Sequence, residues 1–152
     1  MKKFEFTGET KTISLFFRTA TLHRIRAVAE FGLVKIGDLG GWIEKEENLS
    51  HEGKAWVWGN AKVCGDAEVF SASHVLVIGA IGSRDDFTTF FRDKDNEITV
   101  KCGCFLGKID KFLEKVTQTH GDSKYALVYR AAVEVARLQI DLSGEAPKDA
   151  DE

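Results

Sequence analysis

The stretch VIGAIGSRDDFTTFF, residues 77–91, joins two apolar runs through a polar segment that contains Ser83 and Arg84. Apolar runs on both sides of a glycine-bounded polar segment are the pattern of two strands connected by a turn. Backbone N–H groups of such a turn can bind a phosphate, and a guanidinium can add two charge-assisted hydrogen bonds. The segment is therefore either a solvated turn, in which Arg84 pairs with Asp85 or Asp86, or a corner that binds an anion.

The residues after this stretch predict a second hairpin and then a helix. The run TTFFRDKDNEITVKCGCF, residues 88–105, contains two strand-like segments separated by the turn residues DKDN, which predicts a β-hairpin. In the following KIDKFLEKV, the apolar residues recur at helical spacing. Gly121 is expected to end this helix, because glycine adopts the left-handed conformation of a C-terminal cap without strain.

A second helix is expected from about Ser123 to Leu142, with Asp122 as its N-cap. One wide apolar face is predicted on it, made of Tyr125, Val128, Tyr129, Ala132, Val135, Ala136 and Ile140. Residues 76–142 are thus expected to form an α+β domain, to which a ligand site at Arg84 would belong.

A six-residue repeat precedes this domain. In register it reads AWVWGN, AKVCGD, AEVFSA and SHVLVI over residues 55–78, with alanine or serine first and valine third. The repeat resembles the hexapeptides of left-handed parallel β-helices, in which each six residues form one flat side of a triangular coil. The segment 43–75 would give fewer than two full coils, so neighbouring elements or another subunit must cover its ends.

Residues 1–42 show short alternating runs, such as TISLFF and LHRIRAV, with no long amphipathic pattern. They predict a small antiparallel β unit. The expected fold class is therefore α+β. It comprises an N-terminal antiparallel β unit, a short hexapeptide segment that is left-handed β-helix-like, and a C-terminal β-sheet with two α-helices.

Composition limits the classes of partner. The 152 residues carry a formal net charge of −3, and 30% of them are charged. The end of the chain, residues 143–152, is rich in acids and is expected to be a disordered acidic tail, which leaves the rest close to neutral. A near-neutral body lacks the basic stripe of a protein that binds a nucleic-acid polymer. The apolar runs are too short for a membrane span, so a cytoplasmic protein is expected.

Cys64, Cys102 and Cys104 are too few, and odd in number, for a disulfide framework. Two of them in a C-x-C arrangement also make a poor zinc site on their own. We interpret all three as structural thiols, and we predict no metal and no cofactor.

Several segments together resemble a family of bacteriophage and prophage proteins. The segments are LHRIRAV, GDLGGWIEKEENLSHEG, GNAKV, GSRDDFTTFF, VKCGCFLGKIDKFLEKV and THGD, and they extend to about residue 142. Members of this family carry variable numbers of GNA-x-V hexapeptides between an N-terminal unit and an α+β C-terminal domain.

The chain also resembles the phage Thoeris anti-defence proteins. Those are small oligomeric sponges that bind cyclic ADP-ribose-type signals and keep them from a host effector without cleaving them. The resemblance implies a pocket of arginines, an aromatic side chain and a small polar one. The corresponding residues here are Arg84 with Ser83 beside it, Phe105 or Phe112, Asp122, and Arg130 or Arg137.

Each of these residues also has an ordinary structural interpretation. Phe105 and Phe112 could stack on a base or pack in the core. Arg130 and Arg137 lie two helical turns apart with Glu134 between them, so they could clamp a pyrophosphate or form surface salt bridges.

The predicted function is non-enzymatic. The protein is expected to be a homo-oligomer that sequesters a nucleotide-derived immune signal, a cyclic ADP-ribose-like or cyclic oligonucleotide molecule. One alternative is a hexapeptide acyltransferase with His74 as its base. The other is a purely structural or interaction module, in which Trp56 and Trp58 face outward from one strand and make an oligomer contact.

Overall fold

Two four-stranded sheets and two helices make up the part of the chain that the computed structural model describes, residues 2–143. This arrangement confirms the predicted α+β fold class. The predicted acidic tail lies outside the described residues from position 144 onward.

The first sheet contains β1 (Phe4–Ser14), β2 (Thr19–Ala27), β3 (Leu39–Ile43) and β4 (Lys62–Val63), in that order. β2 is antiparallel to both β1 and β3, whereas β3 and β4 are parallel. A parallel pair needs a connection that returns the chain to the starting end of the strand, and the segment between β3 and β4 provides it.

The chain returns beside itself at a constant interval within the hexapeptide segment. Ile43 pairs with Val63 in β3 and β4, and an isolated parallel bridge joins Leu49 to Val69. Both pairs are 20 residues apart in sequence, so two stretches of the segment stack in register. The first and third residues of the first three hexapeptides face inward, since Ala55, Val57, Ala61, Val63, Ala67 and Val69 are all at most 2% exposed.

The second sheet is an antiparallel meander of β5 (Val75–Ile81), β6 (Asp86–Arg92), β7 (Ile98–Cys102) and β8 (Phe105–Lys108). Both predicted hairpins are therefore confirmed. The sheet is the middle layer of the molecule. Phe91 packs into the core of the hexapeptide segment and Phe90 into the core under the helices, and both are fully buried.

The two helices are α1 (Ile109–His120) and α2 (Lys124–Gln139). Gly121 caps α1 as predicted, with a positive φ of 57° and its N–H donated to Thr117 O. The prediction that Asp122 is the N-cap of α2 is wrong. Ser123 occupies that position because its carbonyl accepts the N–H of Leu127, and the Asp122 side chain is fully exposed.

The expectation that Trp56 and Trp58 share one face of a strand is also wrong. Trp58 is 52% exposed, but Trp56 is only 2% exposed. The backbone here is a turn-rich loop with no assigned strand, so the two-residue alternation of a strand does not apply. Trp56 packs against the bare backbone of Gly40, where a Cβ would lie 2.7 Å from its Cζ2 atom.

Close backbone approach at Gly41 predicts a large effect of Gly41→Ala on stability. A Cβ there would lie 2.7 Å from the Ala61 carbonyl oxygen, and backbone cannot rotate away as a side chain can. We expect the free energy of unfolding to fall by about 1–3 kcal/mol, the usual cost of overpacking. Urea unfolding of Gly41→Ala beside Gly59→Ala measures this, since position 59 has open space around it. Equal effects of the two substitutions would contradict the prediction.

Candidate functional site

A cavity of about 180 Å³ opens where the β5–β6 loop and the β7–β8 turn approach both helices. Four residues predicted from the sequence as ligand-binding line it: Ser83, Arg84, Phe105 and Phe112. The other lining residues are Phe16, Asp86, Cys102, Gly103, Cys104, Lys115, Val116, Thr119, His120 and Tyr129.

Gly82 allows the β5–β6 loop to approach the helices closely enough to form the cavity. It has a φ of +79°, and a Cβ at this position would overlap the Tyr129 hydroxyl. Only glycine combines this conformation with this contact at no steric cost. As a result, Ser83 and Arg84 lie exposed at the mouth of the cavity.

Within the described residues, no acidic side chain is paired with the Arg84 guanidinium. Among residues 2–143 it forms none of the salt bridges, so the expected pairing with Asp85 or Asp86 is not made. Its Nη1 atom lies over the β7–β8 turn, 3.6 Å from where a Cβ of Gly103 would be. The guanidinium is therefore available to bind an anion at the cavity mouth.

Aromatic rings form the inner wall of the cavity. The Phe105 and Phe112 centroids are 5.4 Å apart, and Phe112 meets Tyr129 edge to face at 5.8 Å. The His120 ring stacks on Tyr129 at 5.6 Å. Phe112 is buried and Phe105 is half-buried, and both rings pack in the core beneath the helices. Stacking of either ring on a base stays a prediction.

A short polar chain lies behind the rings. The Thr88 hydroxyl donates to Cys102 Sγ at 3.5 Å. Burial and the neighbouring Cys102 thiol raise the pKa of Tyr129 to about 12. The phenol consequently stays neutral at physiological pH and can donate a hydrogen bond to a ligand. Cys102 and Cys104 are free thiols, as is the buried Cys64.

The β1–β2 hairpin supplies one cavity residue that the sequence did not indicate, and α1 supplies another. Phe16, at its tip, is 66% exposed and lines the cavity mouth. Its backbone N–H donates to Cys104 O at 3.0 Å, which fixes the tip to the β7–β8 turn. Lys115 Nζ lies 4.8 Å from the centroid of the Phe16 ring. Phe16 belongs to no quoted motif, and the segment that contains Lys115, on α1, gives no sign of a ligand-binding role for that lysine.

Asp122, Arg130 and Arg137 do not line this cavity. Arg130 donates to Thr117 Oγ1 at 3.2 Å and to Gly121 O at 3.0 Å, and so braces the turn between the helices. Arg137 donates to Glu134 Oε1 at 2.9 Å. The expected surface salt bridges are thus formed, whereas the geometry does not bring the two arginines to the predicted pocket.

A wider groove of about 920 Å³ lies along the hexapeptide segment but has the wrong charge for a phosphate. Its acidic residues outnumber its lysines: Glu46, Glu47, Glu52, Asp66 and Glu68 against Lys2, Lys45 and Lys94. It contains none of the residues predicted to bind a ligand. The smaller cavity is therefore the candidate site.

His74, the base considered for an acyltransferase, is only 2% exposed. Its Nδ1 accepts the backbone N–H of Phe70 at 3.3 Å, and its ring meets the Phe70 ring edge to face. Burial and the charge of Arg92 lower its pKa below the ordinary value for histidine. A buried and hydrogen-bonded imidazole cannot reach a substrate at the surface, which disfavours the acyltransferase alternative.

Neither the scan against protein-family models nor the search of curated proteins found a match to this chain. No helix within residues 2–143 is both long and apolar enough to cross a membrane. The same residues contain no group of three or more histidine, cysteine or acidic side chains placed to bind a metal ion. The functional argument consequently rests on the geometry of the cavity.

The lowered pKa of His74 predicts a loss of stability in acid. Above a pH of about 6.5 neither the folded nor the unfolded state protonates histidine appreciably. As the pH falls, the unfolded state binds a proton first, so the free energy of unfolding decreases until the folded-state pKa is passed. Urea unfolding between neutral pH and pH 5 should show a shallower decrease for His74→Gln. The control is His23→Gln, and an unchanged profile for His74→Gln would contradict the assignment.

Proposed function

We propose that this protein binds a small molecule that carries one ring system and a phosphate, in the cavity at Arg84. The observation that carries the proposal is an exposed arginine that forms no salt bridge within residues 2–143 and lies at the mouth of an aromatic cavity. Guanidinium and phosphate match in geometry and charge, and aromatic walls accept the face of a base.

The cavity volume limits how much of the ligand can enter. A protein cavity of about 150 Å³ accommodates benzene, whereas pockets for whole drug-sized ligands have roughly 300–1,000 Å³. At about 180 Å³, the cavity has room for one ring system. The phosphates and the rest of the molecule would then remain outside, beside Arg84 and Lys115.

The proposed biological role is sequestration. We propose that the ligand is a nucleotide-derived immune signal, cyclic ADP-ribose-like or a cyclic oligonucleotide, which the protein holds intact in the manner of a phage anti-defence sponge. The resemblance to the Thoeris anti-defence proteins supports the identity of the signal, and the cavity supports its chemistry. The proposal includes self-association and action in the host cytoplasm.

The proposal extends to the hexapeptide segment. Parallel pairing 20 residues apart and inward-facing small residues support a short coil of the left-handed β-helix type over residues 43–75. Such a coil would serve as a platform for the second sheet, with residues 76–142 as the ligand-binding domain.

Ligand binding is tested by calorimetry and thermal shift with cyclic ADP-ribose isomers, cyclic di- and trinucleotides, and acetyl-CoA. At 100 times its dissociation constant, a ligand stabilises the folded state by about 2.7 kcal/mol, which is a shift of several degrees. We expect Arg84→Ala to abolish the shift with a cyclic nucleotide. Arg137→Ala is the matched control, because it also removes a surface arginine but lies outside the cavity.

Each result of this experiment is informative. A bound nucleotide that is recovered unchanged supports sequestration, and a cleaved one would show an enzyme. A shift with acetyl-CoA alone would favour the acyltransferase. No shift with any compound would leave the structural module as the better explanation and refute the proposal.

Two adjacent phenylalanines allow a sharper test of the cavity mouth. Phe16 and Phe17 are exposed to 66% and 63%, but only Phe16 lines this cavity. Base–aromatic stacking contributes about 1–3 kcal/mol by alanine substitution. Phe16→Ala should therefore weaken nucleotide binding by about 5- to 150-fold in calorimetry, and Phe17→Ala should have little effect. Equal losses would show that the hairpin tip as a whole, rather than a ring contact, is required.

A further inference from the structure

Helix α2 has a second apolar face that the core does not use. Its core face buries Ala126, Tyr129, Ala132, Val133 and Ala136. On the opposite side, Leu127, Val135 and Leu138 are 61%, 47% and 88% exposed, and Ala131 between them is also exposed.

These four residues, Leu127, Ala131, Val135 and Leu138, form one continuous stripe. Their spacings of four, four and three residues place them as neighbours along a single side of the helix. Single exposed apolar residues are ordinary on protein surfaces, whereas these four adjoin one another along the helix. The stripe shares only Val135 with the wide apolar face predicted from the sequence, most of which packs in the core.

We infer that the stripe binds the same stripe of a second copy of this chain, with the two helices antiparallel and Ala131 at the two-fold axis. In this register Leu127 of one copy lies opposite Val135 of the other, twice over. The stripe is thus complementary to itself, which is what a two-fold interface requires.

The charges at the helix ends decide the orientation. Lys124 lies at the N-terminal end of the stripe, and in a parallel pair the two Lys124 ammonium groups would be adjacent. In the antiparallel pair Lys124 lies opposite Leu138, and its aliphatic stem covers that side chain. Its ammonium then approaches the C-terminal end of the other helix, where the helix dipole and the exposed carboxylate of Asp141 attract a cation.

The area of the stripe determines how strongly two chains are expected to associate. A helix of 16 residues is about 24 Å long and about 10 Å wide, a footprint of roughly 240 Å². Stable interfaces bury about 800 Å² on each partner. The stripe therefore gives a weak, reversible dimer rather than an obligate one. The inference does not depend on the proposed ligand, because the cavity lies under the opposite face of α2, at Tyr129.

Charge substitution at the two-fold axis tests the register. Sedimentation equilibrium of the full chain, from about 10 µM to about 1 mM, should show a concentration-dependent dimer. Ala131→Glu and Ala131→Lys should each be monomeric, because like charges meet at the axis. An equimolar mixture of the two variants should dimerise again, because Glu then faces Lys. Leu33→Glu, at a loop residue that is 89% exposed, should dimerise as the wild type does.

Three results would overturn the inference. The first is a wild-type chain that is monomeric over the whole range. The second is an Ala131→Glu variant that dimerises normally, which would place any interface elsewhere. The third is a mixture that stays monomeric, which would refute the two-fold axis at Ala131. Far-ultraviolet circular dichroism and thermal unfolding show whether the variants fold, and an exposed helical alanine tolerates both residues.

Discussion

Burial of strand β6 on both of its faces is the constraint on which the rest of the molecule depends. Phe90 faces the helices and Phe91 faces the hexapeptide segment, and neither is accessible to solvent. The adjacent threonines follow the same alternation: Thr89 Oγ1 accepts the Lys62 N–H on one side, and Thr88 bonds Cys102 on the other. One strand thereby joins the two cores. The short hexapeptide segment needs no further coils on this side, because the second sheet covers it.

Elements with strong local patterns could be predicted from the sequence, and their partners could not. The hairpins and the cap at Gly121 follow from spacing and turn residues within a few positions, and the structure confirms them. The expectation that Trp56 shares a strand face with Trp58 was wrong because the Trp56 indole packs against Gly40. No periodicity in the sequence encodes that contact. Thr88 and Thr89 lie on opposite faces of β6 and are both buried, because a different distant segment covers each face.

The residues of the candidate site also divide into those that local sequence predicts and those that only the fold brings in. Four of the predicted residues do meet at one cavity: Ser83, Arg84, Phe105 and Phe112. The first two lie in the β5–β6 loop, the third begins β8, and the fourth lies on the helix that follows the same sheet. Phe16 arrives from a hairpin more than sixty residues earlier in the chain, so only the fold could reveal it. The charge of Arg130 predicts a ligand-binding residue, but α2 directs its side chain to the turn between the helices. There it already donates to Thr117 Oγ1 and to Gly121 O.

The small buried residues of α2 determine the position of Arg84 at the cavity mouth. Ala126, Ala132 and Ala136 let the helix lie close to the sheet, and this closeness brings the Tyr129 hydroxyl against Gly82. A larger residue at position 82 would push the β5–β6 loop away and move Arg84 from the cavity mouth. The position of Arg84 is therefore determined by packing beneath it rather than by hydrogen bonds of its own. Within the part of the chain that the structure describes, this guanidinium forms no salt bridge. A guanidinium that is already in place at the cavity mouth needs little reorganisation to bind an anion.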